Sequence, residues 1–549
     1  MTVRATRRTR TRVAALAAVT GLGLAMVAPV SAPGSGTTAT ATPSDTRCEV
    51  RKNLTYRMLL ECVTLDGVRS HLQQFQKIAD NNDDPYYPGS RAAGTKGYAD
   101  SAAYVAGLLE DAGYDVTLDE FEFQFAFPAV LEQLTPVQGE YDTGPFTNSG
   151  AGDVTGPVIP VNLALDPPRD STSGCEPSDF DGLDFSGPND VALVQRGTCP
   201  FADKARNAQD AGAEAVVIFN QGDDPTREGL IVGTLGDDSG VVIPVVGASF
   251  ADGVALAQAG STARVHVIEP ETRTDVNVIA ELPGRNNNNV VMAGAHLDSV
   301  AAGAGINDNG SGSAAILETA LMMANIKPQN TLRFAWWGAE ELGLIGSNAY
   351  VEGLPADELD RIALYLNYDM VASPNHVFMV YDADESTFDA PVPVPPGSTA
   401  IENLYESYYT WIGEPYDDAE FSGRSDYQAF INNGIPSGGL FTGAEGVKTP
   451  QQEAIWGGTA GEQFDQCYHE ACDTIDNLDL HALEVNSDLI AFAQLTFAYS
   501  TESVNGVRGM RVPGRPIDLP EPAGPEGTFG SGVAALHANA ELNRGGAVE

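Results

Sequence analysis

Basic residues are scarce. The 549-residue chain carries 30 lysines and arginines against 75 aspartates and glutamates, a net charge of −45, and five of those bases fall within the first twelve positions. So little positive charge cannot build the basic surface that a phosphate backbone or an anionic bilayer needs, so neither nucleic acid nor membrane is expected as a partner. The same acid excess suits a cationic ligand or a bound metal. Long apolar runs are also missing, except over residues 13–30. That run follows Arg4, Arg7, Arg8, Arg10 and Arg12, is interrupted by Thr20 and Pro29, and leads into small residues at 28–32. Basic, apolar, then small is the order of a secretory signal peptide, here 1–32, and the run is short for a membrane span. Nothing later could cross a bilayer. The exported chain is expected to be soluble, extracellular and monomeric.

Cysteine is sparse too, at six residues, none in a Cys-x-x-Cys zinc pattern. An even count in an exported chain points to disulfides. The six fall into sequence-local pairs, predicting Cys48–Cys62, Cys175–Cys199 and Cys467–Cys472.

The texture changes along the chain. Residues 33–46 are rich in Thr, Ser, Pro and Ala and read as a disordered leader. Residues 64–125 read as helix, helix, strand. Tyr98, Ala102, Val105 and Leu109 recur at helical steps and Gly113 stops the second helix. From about 131 to 269, short valine-rich runs separated by Gly, Pro and Asp turns indicate a small β-rich module. From 270 to 502, apolar strands over 276–282, 290–295, 331–337 and 362–368 alternate with helices such as 312–324. That alternation predicts an α/β domain around a mixed, mostly parallel sheet flanked by helices, in which ligands bind at the carboxyl ends of the strands. Residues 503–549, rich in Gly and Pro with few apolar positions, read as a flexible tail.

With only seven histidines, each context can be weighed. His296 ends an apolar strand, and Asp298 two residues on can accept the imidazole's second N–H. Twelve residues after His296, Asp308 lies in a polar, glycine-rich loop before a helix. On its own this could be an ordinary capped loop. Another apolar strand runs into Glu340 and Glu341, where one acid could bind metal while its neighbour takes a proton, or both could sit in a solvated turn. A further strand ends at Asp369 among apolar residues, and a buried carboxylate needs a partner or a metal. Tyr468 and His469 sit between Cys467 and Cys472. Two histidines and three carboxylates form a nitrogen–oxygen set suited to Zn²⁺. Five ligands exceed the need of one catalytic ion and suit two that share a carboxylate.

The stretches GAHLDSV, GINDNGSG, WWGAEELGLIGS, NYDM, FSGRSDYQAF, GGLFTGAE and CYHEACD, in that order over most of 275–500, strongly resemble the secreted bacterial double-zinc aminopeptidases of metallopeptidase family 28. The resemblance implies one zinc on His296, Asp308 and Asp369 and another on Asp308, Glu341 and His469. It implies Glu340 as general base, Asp298 as an acid supporting the ligands, and Tyr468 as hydrogen-bond donor to the oxyanion. It places Arg424 and Phe441 near substrate, which would be the N-terminus of a peptide or protein with a large apolar first residue. It further implies a cis peptide between Asp308 and Asn309. In some members of the family a calcium ion lies near the C-terminal helix, and Glu484 and Asp488 are the candidates here, although Glu484 stands where an aspartate is expected. Residues 191–220 look like part of a protease-associated domain, which would split the catalytic domain into 47–130 and 270–502. A carboxypeptidase or glutaminyl cyclase on the same scaffold, or a catalytically inactive binding protein, are the competing expectations.

Overall fold

A computed structural model of the protein describes residues 45–528 except 237. The predicted signal peptide, most of the predicted leader and the last 21 residues lie outside that range. Among the described residues, no helix is long and apolar enough to cross a membrane.

The catalytic domain is built on an eight-stranded sheet. Its strands are β1 (Asp115–Phe125), β2 (Glu271–Leu282), β3 (Asn286–His296), β4 (Asn330–Trp337), β5 (Ile362–Tyr368), β6 (Met379–Tyr381), β7 (Asp417–Ala419) and β8 (Ser437–Phe441). They lie in the order β1-β2-β4-β3-β5-β8-β6-β7. The four central strands β4, β3, β5 and β8 run parallel, while β1 and β2 are antiparallel additions at one edge and β6 runs against β8 at the other. All residues of β4 and β5 are buried, because helices and loops cover both faces and leave no side for polar residues. β2 starts five residues before the predicted strand. It pairs with β1 along its whole length, from Asp115–Glu281 to Phe125–Glu271, and that pairing holds residues with no apolar pattern of their own.

Helices close the larger core. Helix α1 (Leu65–Asp80) and helix α2 (Lys96–Ala112) start at Thr64 and Thr95, whose hydroxyls accept the Gly67 and Tyr98 N–H groups. Helix α2 ends at Gly113 in the left-handed region, φ 96°. Helix α3 (Gly312–Met323) and the long helix Leu480–Tyr499 are apolar nearly all round and sit against the sheet. The opposite face is covered by an aromatic cluster that includes Trp337, Tyr365 and Phe430.

The β-rich module has its own seven-stranded sheet, from Val130–Thr135 to Thr262–Val267, and two cores of its own. The chain enters it from β1 and returns into β2. At this neck the Arg273 guanidinium lies over the Phe125 ring, 3.4 Å from its centre. The bonded cysteines are Cys48–Cys62, Cys175–Cys199 and Cys467–Cys472, as the local pairing predicted.

The tail needs correcting. Composition predicted a flexible segment over 503–549, yet residues 503–528 pack on the catalytic domain. Val504 is buried, and Val512, Ile517 and Leu519 lie against the main core. The Gly527 and Thr528 N–H groups donate to the Asp417 carboxylate. A few apolar anchors and backbone hydrogen bonds suffice to order a Gly/Pro-rich strap, and composition does not register them.

Gly312 sets how closely α3 approaches β5. A Cβ there would lie 2.1 Å from the Tyr368 carbonyl oxygen. Gly312→Ala is therefore expected to cost about 2–3 kcal/mol of stability, read as a lower urea unfolding midpoint.

Candidate metal centre and active site

Three parallel strands end side by side and each delivers an acid or an imidazole. His296 is the last residue of β3, Asp369 directly follows β5, and Glu340 and Glu341 lie just past β4. Ala339, Met370 and His469 hold left-handed backbone, at φ 55°, 52° and 60°. Non-glycine residues adopt that region only where the surroundings enforce it. Here each adjoins or is one of the clustered residues.

Asp308 comes from the turn Ile306–Ser311, which includes a cis peptide between Asp308 and Asn309. Buried polar groups fix this turn. Asp473 accepts the Asn307 N–H at 2.8 Å and the Asp308 N–H at 2.9 Å. The Asn307 amide donates to Asp465 at 2.7 Å. The fully buried Arg91 donates to the Ala304 and Gly305 carbonyls at 2.8 and 2.6 Å. Gly305 has φ 58°, and a Cβ there would lie 2.3 Å from the Asp308 carbonyl oxygen, so only glycine fits.

The five residues converge. His296 Nε2 lies 3.2 Å from Asp308 Oδ1 and 3.3 Å from Asp369 Oδ1. His469 Nε2 lies 3.3 Å from Asp308 Oδ2 and 3.0 Å from Glu341 Oε2. Glu340 Oε2 stands further off, 3.9 Å from His296 Nε2. Two groups of three thus form, His296–Asp308–Asp369 and Asp308–Glu341–His469, with Asp308 common to both. A third grouping, His296–Glu340–Glu341, also lies within reach of one ion.

The donor set fits metal. Glu341 Oε1 is buried without a hydrogen-bond partner, which is costly unless something else coordinates it. Burial, then the neighbouring acids, raises the Glu340 carboxyl well above its usual range. Burial and Asp308 raise Glu341. For His469 burial opposes the charge, but Glu341 and Asp308 outweigh it and lift the imidazole to about 9. Such a cluster holds protons where a divalent cation would satisfy the same lone pairs. Two imidazoles with carboxylates are ligands of zinc-type ions.

Asp298 differs in detail from expectation. The imidazole Nδ1 of His296 lies 3.2 Å from the backbone carbonyl of Asp298 and 3.7 Å from its carboxylate. The carboxylate instead accepts the Glu340 and Glu341 N–H groups, at 3.2 and 3.3 Å. Asp298 therefore aims the two glutamates as well as bordering the histidine. The two calcium candidates gather no third acid or histidine among the described residues. Glu484 is exposed and Asp488 half-buried, one helical turn apart.

The cluster floors an open cleft. Met379, Tyr381, Phe388, Phe441 and Phe464 supply an apolar wall. Arg424 reaches in from the far side, donating to Glu445 at 2.7 Å and to the Tyr468 hydroxyl at 3.3 Å. Several participants are absent from the sequence prediction. Ser425 donates to Asp369 Oδ2 at 2.6 Å, and Asp473, Asp465 and Arg91 fix the Asp308 turn. Ser425 and Asp473 lie within the quoted stretches FSGRSDYQAF and CYHEACD. Arg91 had no signal beyond being an arginine in a chain that has few.

Comparison with known proteins agrees with this geometry. The pattern of peptidase family M28 matches residues 277–494 and that of the PA domain matches 154–256. An aminopeptidase of Pseudomonas aeruginosa is 46% identical over 457 residues, covering 81% of this chain and 83% of the relative. A probable leucine aminopeptidase 2 of Aspergillus fumigatus is 42% identical over 76% of this chain and 81% of its own length. A zinc aminopeptidase from Bacillus subtilis superposes with a TM-score of 0.58 at 26% identity, covering 78% of this chain and 94% of that one. With this much of the chain aligned, and with the strand ends arranged as described, the chain belongs to peptidase family M28, as an aminopeptidase with an inserted PA domain.

Proposed function

We propose that the chain is an extracellular, monomeric aminopeptidase that holds two zinc ions and removes large apolar residues, leucine above all, from peptide N-termini. The observation that carries this is the Asp308 carboxylate, whose two oxygens face His296 on one side and His469 on the other. His296 and Asp369 would complete one zinc site, and Glu341 and His469 the other. Two zinc ions there supply Lewis acidity and bring a water's pKa towards neutrality.

The chain's own groups handle the protons and the charge. Glu340 is buried, raised in pKa and next to a ligand without standing as close as the ligands do. It takes the proton from the attacking water and returns it to the leaving amine. Arg424 donates to the Tyr468 oxygen, and the Tyr468 hydroxyl in turn donates to the developing oxyanion. Phe441 and the apolar wall receive the first side chain. Glu420, which also lines the cleft, suits the substrate's ammonium group. A carboxypeptidase would need a cation for the terminal carboxylate. Arg424, the one basic residue other than histidine among the cleft-lining residues, already pairs with Glu445. A glutaminyl cyclase would need one zinc, and an inactive relative would have lost ligands, whereas all five are present. Export rests on the order of residues 1–32 and on the three disulfides, which persist in oxidising compartments.

Leucine p-nitroanilide should be hydrolysed, its N-acetylated form should not, and a chelator should abolish turnover. Activity on the blocked substrate, or full activity after metal removal, contradicts the proposal. Glu340→Gln should leave zinc content unchanged while kcat falls about 10³-fold. If the variant loses metal instead, Glu340 and Glu341 exchange roles.

A further inference from the structure

A second group of acids lies beside the cleft, with no part in the chemistry above. Helix α4 (Ser398–Ile412) places Glu402 and Glu406 one turn apart on one face, both buried. Like charges at this spacing repel. Asp418, at the middle of β7, is 1% exposed, and Asp382, just after β6, is also 1% exposed. Asp384, two residues on, is exposed to solvent. One oxygen from each of Asp382, Asp384 and Glu402 lies within 4.8 Å of the others, as does one from each of Glu402, Glu406 and Asp418. Glu402 joins the two sets.

Among the described residues, no ion pair neutralises this charge. There is no lysine or arginine between Arg361 and Arg424. Two oxygens are orphaned: Glu402 Oε2 and Asp418 Oδ1 are buried without a hydrogen-bond partner, and Glu402 as a whole is 2% exposed. The surrounding loop occupies the oxygens of Asp382 and Asp418 Oδ2. Asp382 accepts the N–H groups of Ser386, Thr387 and Phe388 at 2.9, 2.8 and 2.7 Å. The Thr387 hydroxyl donates to Asp418 Oδ2. The loop is thus folded around the acids, with two lone-pair sites left facing inward and Asp384 at the mouth.

We propose that Asp382, Asp384, Glu402, Glu406 and Asp418 form a binding site for a hard divalent cation, calcium above all, that ties α4 and the 382–388 loop to the sheet edge beside the catalytic cleft. Oxygen-only donors with no imidazole or thiolate select calcium over zinc. Burial and mutual repulsion push Glu402 up to about 9, Glu406 to about 7 and Asp418 to about 6. Without a cation the site therefore holds protons, which calcium would displace. Tyr381, Phe388 and Asp418 also line the cleft, so the ion would brace the apolar wall against which substrate sits.

The test uses the zinc-loaded full-length enzyme in calcium-free buffer, with calcium binding followed by equilibrium dialysis and stability by thermal unfolding. Wild type should take up calcium at this site, and its Tm should rise by about 2 °C or more at saturation. Glu402→Gln should remove both the uptake and the rise. It should be no less stable than wild type without calcium, since it replaces a carboxyl that is already protonated there, and its zinc content should be unchanged. Asp384→Asn, at the exposed mouth and harmless to packing, should weaken calcium binding about 10-fold or more. If wild type takes up no calcium at millimolar concentration, the cluster is a protonated core and the proposal fails. It fails equally if both variants bind calcium like wild type, or if only Glu484→Gln and Asp488→Asn abolish binding.

Discussion

The catalytic centre depends on one buried carboxylate held between two imidazoles. Asp308 faces His296 and His469 with separate oxygens, and the residue is 6% exposed. A side chain that must serve two partners at once cannot rotate freely. The fold answers by fixing the backbone beneath it. Asp473 takes the N–H groups of Asn307 and Asp308, and Arg91 takes the carbonyls on the preceding turn. Rigid support under a side chain that faces two imidazoles is what a preorganised site requires.

Repulsion is the cost of such a site, and its location follows from the sheet. Parallel strands ending together bring His296, Glu340, Glu341 and Asp369 into one small volume. The surrounding chain is itself strongly acidic, so few internal cations are left to balance them. Arg424 is engaged by Glu445 and Tyr468, and Arg91 by backbone carbonyls. Bound metal would supply positive charge to the catalytic cluster in place of protons, and the same logic extends to the acids around Glu402.

Much of this was legible in the chain. Apolar runs ending abruptly in His296, Glu340–Glu341 and Asp369 mark strand ends opening on a cleft, because a buried strand has no other reason to finish on charge. The split domain and the inserted β-rich module were legible as changes of texture. What pairing or tertiary contact decides was not. The first residues of β2 owe their structure to β1, and the strap 503–528 owes its order to a few buried anchors and to Asp417. Asp298 was recognised as a partner of the site, but its carboxylate holds the Glu340 and Glu341 amides more closely than the imidazole. The role of Arg91 depends on contacts more than 200 residues away in sequence and leaves no local pattern.

The sharing of Asp308 is most directly tested by zinc stoichiometry. Wild type and Asp308→Asn should be loaded with excess zinc, dialysed, and measured for zinc per folded chain by mass spectrometry. Wild type should retain two ions, and the variant should lose its hold on both, since each site surrenders a ligand. A variant that keeps one ion as tightly as wild type would show that Asp308 serves a single site and would contradict the account.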